Sequence, residues 1–299
     1  MVLHPLARYL YMVRKRLVRY CLQVKFLVTT RKPLFPPVPP PNINFNQLAN
    51  HTDVAQYIET YRKDSHSREL PFLRKISALN SESRTLDFGC GLGRLASAFL
   101  AEGEGVGHYF GWEPDKKALT WLKKNYADFN RFRFNGSPLP KHHTYLSGKT
   151  SNDTTNPDLA LPNNEIWHEF IGNSKFDLIW SCSVFTHMFP NSAIEILKLF
   201  KQIAKPGSLI VNTFLCVDTR AEKELLLGNT DRKLPFRVNG IRTFSYENPL
   251  ICTAYPLETL NQVYASAGLP QPEISYGTWS GRDNRVTYMD LVIVQIPTM

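Results

Sequence analysis

Three glycines and one acidic residue have the types and spacing that binding chemistry requires. Gly89, Gly91 and Gly93 follow a predicted buried strand, residues 84–88, and precede apolar residues at helical spacing. Glycine lets the backbone turn sharply and approach a ligand without an intervening side chain. Glu113 comes 20 residues after Gly93, at the end of a second apolar run. A carboxylate there can accept hydrogen bonds from both hydroxyls of a ribose, so the pattern predicts a site for a ribose-containing cofactor.

The spacing of the glycines differs from that of a dinucleotide-binding turn. Such a turn has the pattern G-x-G-x-x-G, which places a pyrophosphate on the N-terminus of the following helix. Here the third glycine comes one residue early, and Arg94 occupies the position of the final glycine. This departure disfavours a nicotinamide-dependent oxidoreductase, which is retained as a third alternative.

Four segments of the sequence resemble the motifs of one enzyme family. Residues 86–93, LDFGCGLG, are similar to motif I of the class I S-adenosylmethionine-dependent methyltransferases. Residues 109–115 resemble the second motif of that family, and residues 176–188, FDLIWSCSVFTHM, resemble its fourth-strand motif. Residues 204–214 resemble the segment that leads into the fifth strand. The likeness covers residues 45–297 and implies S-adenosyl-L-methionine as the cofactor.

The resemblance also implies which residues hold that cofactor. Asp87 is implied to contact the methionine end of the cofactor, although a buried acid that braces the glycine turn is the alternative. Ser183 is expected to line the cleft. The complete set of expected cofactor-binding residues is Asp87, Gly89, Cys90, Gly91, Gly93, Glu113 and Ser183.

The segment after the third predicted strand departs from the family pattern. The family often has an acid or amide there that binds the adenine amino group, whereas residues 135–139, NGSPL, contain no carboxylate. Asn135, Ser137 or a backbone carbonyl are therefore the candidates for adenine recognition.

His187 is the candidate catalytic residue. Methyl transfer from a sulfonium is an in-line displacement, so the protein must align the acceptor and, for a hydroxyl, remove its proton. His187 follows the fourth predicted strand, where the acceptor is expected, and an imidazole can take a proton at neutral pH. The alternative is that His187 caps or braces the helix that follows.

No metal site is predicted, because the five cysteines show neither a C-x-x-C pair nor zinc-ligand spacing. Residues 276–282 resemble a G-x-W-S-G-R segment of the family. Trp279 is then a core or loop anchor and Arg282 part of a surface pair, or the loop recognises an anionic or sugar substrate.

The elements that must position these residues alternate between strands and helices. This alternation predicts an α/β fold: a doubly wound, seven-stranded, mostly parallel sheet with helices on both faces, plus an N-terminal basic helical tail. The expected strands are 84–88, 108–113, 131–134, one that begins near residue 176, 208–214, 273–276 and 287–295. In such a sheet, ligands bind at the carboxyl ends of the strands.

The N-terminal region differs in charge from the rest of the 299 residues. Residues 1–40 contain eight Lys or Arg and no acid, whereas the remainder contains 27 basic and 26 acidic residues. We therefore divide the chain into a tail with a proline-rich linker, residues 1–45, and a cofactor-binding domain, residues 46–299. Residues 3–27 have amphipathic helical spacing. They are expected to pack on their own domain or a second subunit, to lie on an anionic membrane surface, or to act as a targeting presequence.

Taken together, these patterns indicate a methyltransferase acting on a small-molecule, sugar or lipid-linked saccharide acceptor, with oxygen as the expected acceptor atom. The alternative is a non-catalytic cofactor-binding subunit or scaffold of a membrane complex. The nearly neutral domain gives no reason to expect nucleic acid as a partner. No run of 18 apolar residues is present, so the protein is expected to be cytoplasmic, or peripheral at the membrane surface through residues 3–27. An oligomer is compatible with the sequence.

Overall fold

The computed structural model describes residues 20–26, 34–41, 43, 53–138, 162–283 and 287–298. The predicted helix over residues 3–27 lies outside the described residues except for 20–26. The sequence predicts a long irregular loop over residues 136–174. Residues 139–161 of it lie outside the described residues, and within the remainder Asn164–Ile171 form a helix, so the prediction is wrong there.

Helices and strands alternate along the described chain. The helices are α1 (20–26), α2 (Val54–Asp64), α3 (Leu70–Ser77), α4 (Arg94–Glu102), α5 (Lys116–Asn125), α6 (Asn164–Ile171), α7 (Pro190–Ile203), α8 (Thr219–Leu227) and α9 (Leu257–Ser266). The strands are β1 (Arg84–Phe88), β2 (His108–Trp112), β3 (Phe132–Asn135), β4 (Phe176–Ser181), β5 (Ala204–Phe214), β6 (Cys216–Val217), β7 (Phe236–Val238), β8 (Ile241–Thr243), β9 (Thr253–Pro256), β10 (Glu273–Ser275) and β11 (Asp290–Gln295).

The main sheet has seven strands in the order β10-β11-β5-β4-β1-β2-β3. All neighbouring pairs are parallel except those of β11, which runs antiparallel to both β5 and β10. β1 lies at the centre, where Leu86 pairs with Phe110 of β2 on one side and Ile179 of β4 on the other. The predicted fold class, a doubly wound and mostly parallel seven-stranded sheet, is confirmed.

Helices cover both faces of this sheet because the central strands are apolar on both sides. On one face, α3, α4 and α5 pack against β2 and β4, with Phe99 and Tyr109 at the centre. On the other face, α6, α7 and α9 pack against a second cluster that contains Leu86 and Phe200. Two buried layers hold β1 and β4 rigid, and so fix the loops that leave their carboxyl ends.

A second, smaller sheet is inserted between β5 and α9. Its four strands have the order β6-β9-β8-β7, and α8 connects β6 to β7. The sequence predicts only a variable region over 218–250, because each of these strands is two to four residues long. Such short runs carry too few alternating residues to be distinguished from a loop.

The described parts of the N-terminal region pack against α2. The rings of Phe26 and Tyr57 have their centroids 5.8 Å apart, and the Tyr57 hydroxyl donates to the Pro39 carbonyl at 2.6 Å. Arg62 donates to the Pro36 carbonyl at 2.7 Å. Leu92, in the glycine turn, packs against the same apolar cluster. The proline-rich segment therefore contacts the domain through α2.

Two strands begin three or more residues away from the expected position. β5 begins at Ala204 rather than at residue 208, with a register irregularity in its pairing to β4, and β11 begins at Asp290 rather than at 287. Between α2 and α3, the chain forms a π-helical turn, Ser65–Glu69. Within the described ranges, no helix is both long enough and apolar enough to cross a bilayer.

Candidate functional site

The glycine turn between β1 and α4 has the backbone conformation that its sequence predicts. Gly89, Gly91 and Gly93 have φ angles of +79°, +57° and +74°, in the left-handed region that residues with a Cβ rarely adopt. The amides of Gly89 and Cys90 donate to the Trp112 carbonyl at 2.8 and 3.1 Å. These bonds tie the turn to the carboxyl end of β2.

The three glycines differ in what surrounds them. A Cβ on Gly89 would lie 2.3 Å from Val184 Cγ2, and one on Gly93 would lie 2.6 Å from Leu122 Cδ2. A Cβ on Gly91 would meet no atom within 4 Å. Gly89 and Gly93 are thus required for packing, whereas Gly91 borders open space that a ligand can occupy.

Glu113 lies beside that space, at the end of β2. Its Oε2 accepts a hydrogen bond from the Gly91 amide and its Oε1 accepts one from the Asp115 amide, both at 2.8 Å. The side chain is buried, and burial raises its pKa to about 7. Each carboxylate oxygen has a second lone pair that can accept a ribose hydroxyl. The open space at Gly91 and the acceptors of Glu113 therefore fit the ribose of S-adenosylmethionine.

Asp87 lies in β1, two residues before Gly89, and is 3% exposed. Burial raises its pKa to about 7, although the Tyr109 hydroxyl donates a hydrogen bond to Oδ2 that lowers it. A cation at the mouth of this site would favour the ionised form of Asp87. This environment is compatible with the expected role at the methionine end of the cofactor.

The candidates for adenine recognition lie directly against Glu113. Asn135 Oδ1 accepts a hydrogen bond from Lys123 at 3.1 Å, and Ser137 Oγ accepts one from the Asn163 amide at 3.0 Å. A Cβ on Gly136 would lie 1.8 Å from the Glu113 carbonyl oxygen, so the two backbones are in close contact. Residues 135–137 are thereby placed next to the ribose acceptor, and both candidate side chains already have partners within the protein.

Ser183 and Cys90 occupy different environments near the turn. Ser183 is exposed at the carboxyl end of β4 and has a φ angle of +58°, and its amide donates to Thr213 Oγ1 at 2.8 Å. Its hydroxyl lies 3.7 Å from Met289 Sδ. Cys90 is buried, and burial raises the pKa of its thiol. Ser183 is therefore exposed at the end of β4, whereas Cys90 is buried within the turn.

His187 ends a short 3-10 helix, Phe185–His187, after β4. Its Nδ1 lies 2.9 Å from the Leu250 carbonyl oxygen in the inserted region. Because a carbonyl only accepts, Nδ1 must carry the proton, and in the neutral ring the lone pair is then on Nε2. This hydrogen bond joins His187 to the insertion.

The residues of the G-x-W-S-G-R segment are held by an acid that sequence reasoning missed. Asp290, fully buried at the start of β11, accepts hydrogen bonds from the Gly277 amide and the Trp279 indole, both at 2.7 Å. Trp279 is fully buried, and Arg282 pairs with Asp218 while its guanidinium lies 4.0 Å above the Tyr276 ring. The sequence signal that could have identified Asp290 is its position directly before an apolar run, residues 291–294.

Glu69 is a second acid near the cleft that the sequence did not single out. It ends the π-helical turn, where Ser65 Oγ donates to Oε2 at 2.7 Å, and its Oε1 lies 3.9 Å from Cys182 Sγ. No local pattern marks this position, because residues 54–79 show only helical spacing. In the described part of the chain, no group of three or more His, Cys, Asp or Glu could hold a metal ion.

Comparison with known proteins gives one family. Residues 58–270 match the model of a family described as "Methyltransferase domain". The S-adenosylmethionine-dependent methyltransferase SibL, in its apo form, is 13% identical, with a TM-score of 0.48 over 81% of this chain and 57% of the other. This chain thus spans less than two thirds of the length of that protein.

Two further solved structures match at similar levels. Magnesium protoporphyrin IX methyltransferase from Synechocystis PCC 6803, with bound S-adenosylhomocysteine, is 12% identical, with a TM-score of 0.46 over 94% and 99% of the chains. The 1,6-didemethyltoxoflavin-N1-methyltransferase of Burkholderia thailandensis is 13% identical, with a TM-score of 0.47 over 99% and 92%. The family match extends over more than half of the residues and spans the glycine turn, Glu113 and β4. The chain belongs to the class I S-adenosylmethionine-dependent methyltransferases.

Proposed function

We propose that this methyltransferase transfers its methyl group to a hydroxyl of a small molecule, a sugar or a lipid-linked saccharide. The single observation that carries the proposal is the hydrogen bond from His187 to the Leu250 carbonyl. By holding the proton on Nδ1, this bond makes Nε2 the basic nitrogen of the neutral ring. A hydroxyl acceptor requires such a base, because an alcohol is a weak nucleophile until it loses its proton.

The insertion contributes the surroundings in which His187 would act. Thr253 Oγ1 donates to the Phe185 carbonyl at 3.2 Å, and the Tyr255 hydroxyl donates to the Met188 carbonyl at 2.8 Å. These bonds and the one from His187 attach the small sheet to the turn after β4. An acceptor at this junction would be shielded from water on the side of the insertion, which favours attack by the acceptor over hydrolysis.

Bound S-adenosylmethionine supplies a methyl group on a positively charged sulfur, an electrophile that needs no further activation by the protein. The task of the chain is then to hold the two reactants in line. The glycine turn and Glu113 would fix the adenosine part, and His187 would orient the acceptor oxygen and accept its proton.

Nucleic acid is disfavoured as the acceptor by the residues after β4. Enzymes of this fold that methylate base amino groups usually have an Asn/Asp-Pro-Pro-aromatic tetrad there, whereas residues 181–184 are SCSV. The nearly equal numbers of acidic and basic residues beyond residue 40 also provide no general attraction for a phosphate backbone.

A non-catalytic subunit or scaffold of a membrane complex is the second candidate. The observation that favours it is the exposure of Tyr20 and Val24 on α1, within the basic N-terminal segment. Such a surface suits a membrane or protein partner. Methyl transfer to any acceptor would exclude a purely scaffolding role, whereas cofactor binding alone would not.

The test is an acceptor screen with S-adenosylmethionine labelled in its methyl group, followed by the substitution His187→Asn. The asparagine amide can still donate to the Leu250 carbonyl but cannot act as a base. We expect kcat to fall about 100-fold while cofactor affinity and melting temperature stay within error.

A control is His168→Asn, which changes an exposed histidine on α6 and should retain full activity. If His187→Asn keeps the kcat of the parent enzyme, the histidine is only a brace. If oligonucleotides are methylated and hydroxyl compounds are not, the proposed acceptor class is wrong.

A further inference from the structure

Glu69 is held in place by contacts with its own turn and with the residue that follows β4. It is the last residue of the π-helical turn, and such turns, with one extra residue per turn, often occur at functional sites. The hydroxyl of the buried Ser65 donates to Oε2 at 2.7 Å, while Oε1 lies 3.9 Å from Cys182 Sγ. His66 Nε2 lies 3.1 Å from Ser97 Oγ, which ties the same turn to α4.

These contacts place the carboxylate at the switch point of the sheet. β1 and β4 are neighbours, and the chain continues from β1 towards β2 and from β4 towards β5, in opposite directions. Ligands of such sheets bind in the crevice at the carboxyl ends of the two strands where the order reverses. Cys182 is the first residue after β4. Glu69 is close enough to Asp87 in β1 for its charge to contribute to the raised pKa of that acid.

The position of the ribose acceptor determines which part of the cofactor reaches Glu69. Glu113 lies at the end of β2, on the far side of β1 from β4, and is hydrogen-bonded to the glycine turn. With the ribose at Glu113 and adenine beyond it near residues 135–137, the methionine part must extend across β1 towards β4. That part ends in an amino acid group with a positively charged ammonium.

We propose that Glu69 accepts a hydrogen bond from the α-ammonium group of bound S-adenosylmethionine. A carboxylate only accepts hydrogen bonds, and charge-assisted bonds of this kind are among the strongest in proteins. Glu69 therefore contributes to cofactor affinity from a residue outside the glycine turn and Glu113. The inference rests on the cofactor and does not depend on the acceptor proposed above.

The experiment compares two ligands that differ only at the amino acid end. S-adenosylhomocysteine carries the ammonium, and 5′-methylthioadenosine has the adenosine and sulfur but no amino acid. Calorimetric titration of Glu69→Gln should show a loss of about 10-fold or more in affinity for S-adenosylhomocysteine. Affinity for methylthioadenosine should change by less than about 2-fold, because that ligand has no group for Glu69 to bind.

Glu102→Gln is the matched control, because it removes a carboxylate of a surface ion pair with Arg74 at the end of α4. It should bind both ligands as the parent protein does. Equal losses for the two ligands in Glu69→Gln would overturn the proposal by assigning the residue a structural role, and no loss for either would overturn it too. If the parent protein bound neither ligand, the cofactor assignment itself would fail, which is a different result from failure of Glu69→Gln alone.

Discussion

The buried acids at the glycine turn and the acid Glu222 in the inserted region differ in whether a cationic side chain balances their charge. Asp87 and Glu113 are buried, have pKa values of about 7, and form no ion pair with Lys or Arg among the described residues. In the insertion, Glu222 pairs with Arg242 and Arg237. The hydrogen bond from Arg242, assisted by Arg237, lowers the pKa of Glu222.

The two kinds of acid are therefore expected to have different roles, one in ligand binding and the other in stabilising the fold. A buried carboxylate without a cationic partner destabilises the free protein, and its burial is compensated when a ligand brings hydroxyl donors or positive charge. A carboxylate that is already paired gains little from a ligand and instead holds α8 against the small sheet. The perturbed pKa values at the glycine turn are therefore what a cofactor site there would require, whereas the ion pairs in the insertion stabilise its fold.

Among the substitutions that test this comparison, one that fills the space at Gly91 is expected to have the largest effect on cofactor affinity. We expect Gly91→Arg to reduce affinity for S-adenosylhomocysteine by about 100-fold or more, because the side chain would occupy the position of the ligand. The left-handed backbone adds a cost of about 1–2 kcal/mol in the free energy of unfolding.

Gly103→Arg provides the control, since Gly103 also has a positive φ angle, +76°, and open space around its Cβ position. It lies at the end of α4, away from the turn. It should lose stability in a denaturation experiment, because its φ of 76° and ψ of −144° fall in a region that is essentially restricted to glycine, and it should retain binding. Equal affinities for the two variants would mean that Gly91 does not border the cofactor.

A second substitution tests whether the ion pairs of the insertion stabilise the fold without affecting cofactor binding. Arg242→Met removes the guanidinium that is hydrogen-bonded to Glu222 and to the Leu234 carbonyl. We expect the free energy of unfolding to fall by about 2 kcal/mol, because Arg242 is buried while Glu222 is partly exposed and keeps Arg237. Affinity for S-adenosylhomocysteine should not change. Arg74→Met, at an exposed ion pair, should cost about 0.5 kcal/mol or less.

If Arg242→Met weakens cofactor binding as strongly as it weakens folding, the two regions are not independent. Chemical denaturation and calorimetric titration on the same preparations measure both quantities.

The pH dependence of cofactor affinity is expected to be the smallest of these effects, and it tests the role of Glu113 directly. Burial raises the pKa of Asp87 and of Glu113 to about 7, so both acids exchange protons near neutral pH in the free protein. Because the folded pKa values exceed the unfolded ones, the stability that these acids contribute is present at low pH and is lost as pH rises towards 7.

Cofactor binding should shift these acids in the opposite direction. Ribose hydroxyls donating to Glu113 favour its ionised form, so binding releases protons and affinity falls as pH drops from 8 to 6. We expect a change of up to about 10-fold per pH unit for each proton released. Titrations in buffers with different ionisation enthalpies measure that release. An affinity that is constant or rises towards pH 6 would contradict the assigned role of Glu113.

The same two regions show what sequence reasoning can and cannot reach. The glycine turn, β1 and Glu113 were predicted because their signals are local: positive φ angles select glycine, and strand length sets the distance to the acid. Glu113 and Gly91 are 22 positions apart and meet within one βαβ unit. The doubly wound, mostly parallel, seven-stranded sheet was predicted from the alternation of strands and helices, whereas its strand order comes from the structure.

The insertion is held by contacts between residues that are far apart in the sequence, and a local sequence pattern does not encode such contacts. Asp290 binds the amide of Cys216, 74 positions away, and His187 bonds to Leu250, 63 positions away. The strands β6 to β9 are too short for periodicity to identify them. Glu69 lies in helical spacing, and the π-helical turn that it ends is not predicted by composition.

The most direct test of the central claim, that Gly91 and Glu113 border an S-adenosylmethionine site, is calorimetric titration of the purified protein. S-adenosylmethionine, S-adenosylhomocysteine and NAD should be titrated at the same concentrations. We predict micromolar binding of the two sulfur compounds and no heat from NAD. Binding of NAD with comparable affinity, or no binding of either sulfur compound, would contradict the assigned site.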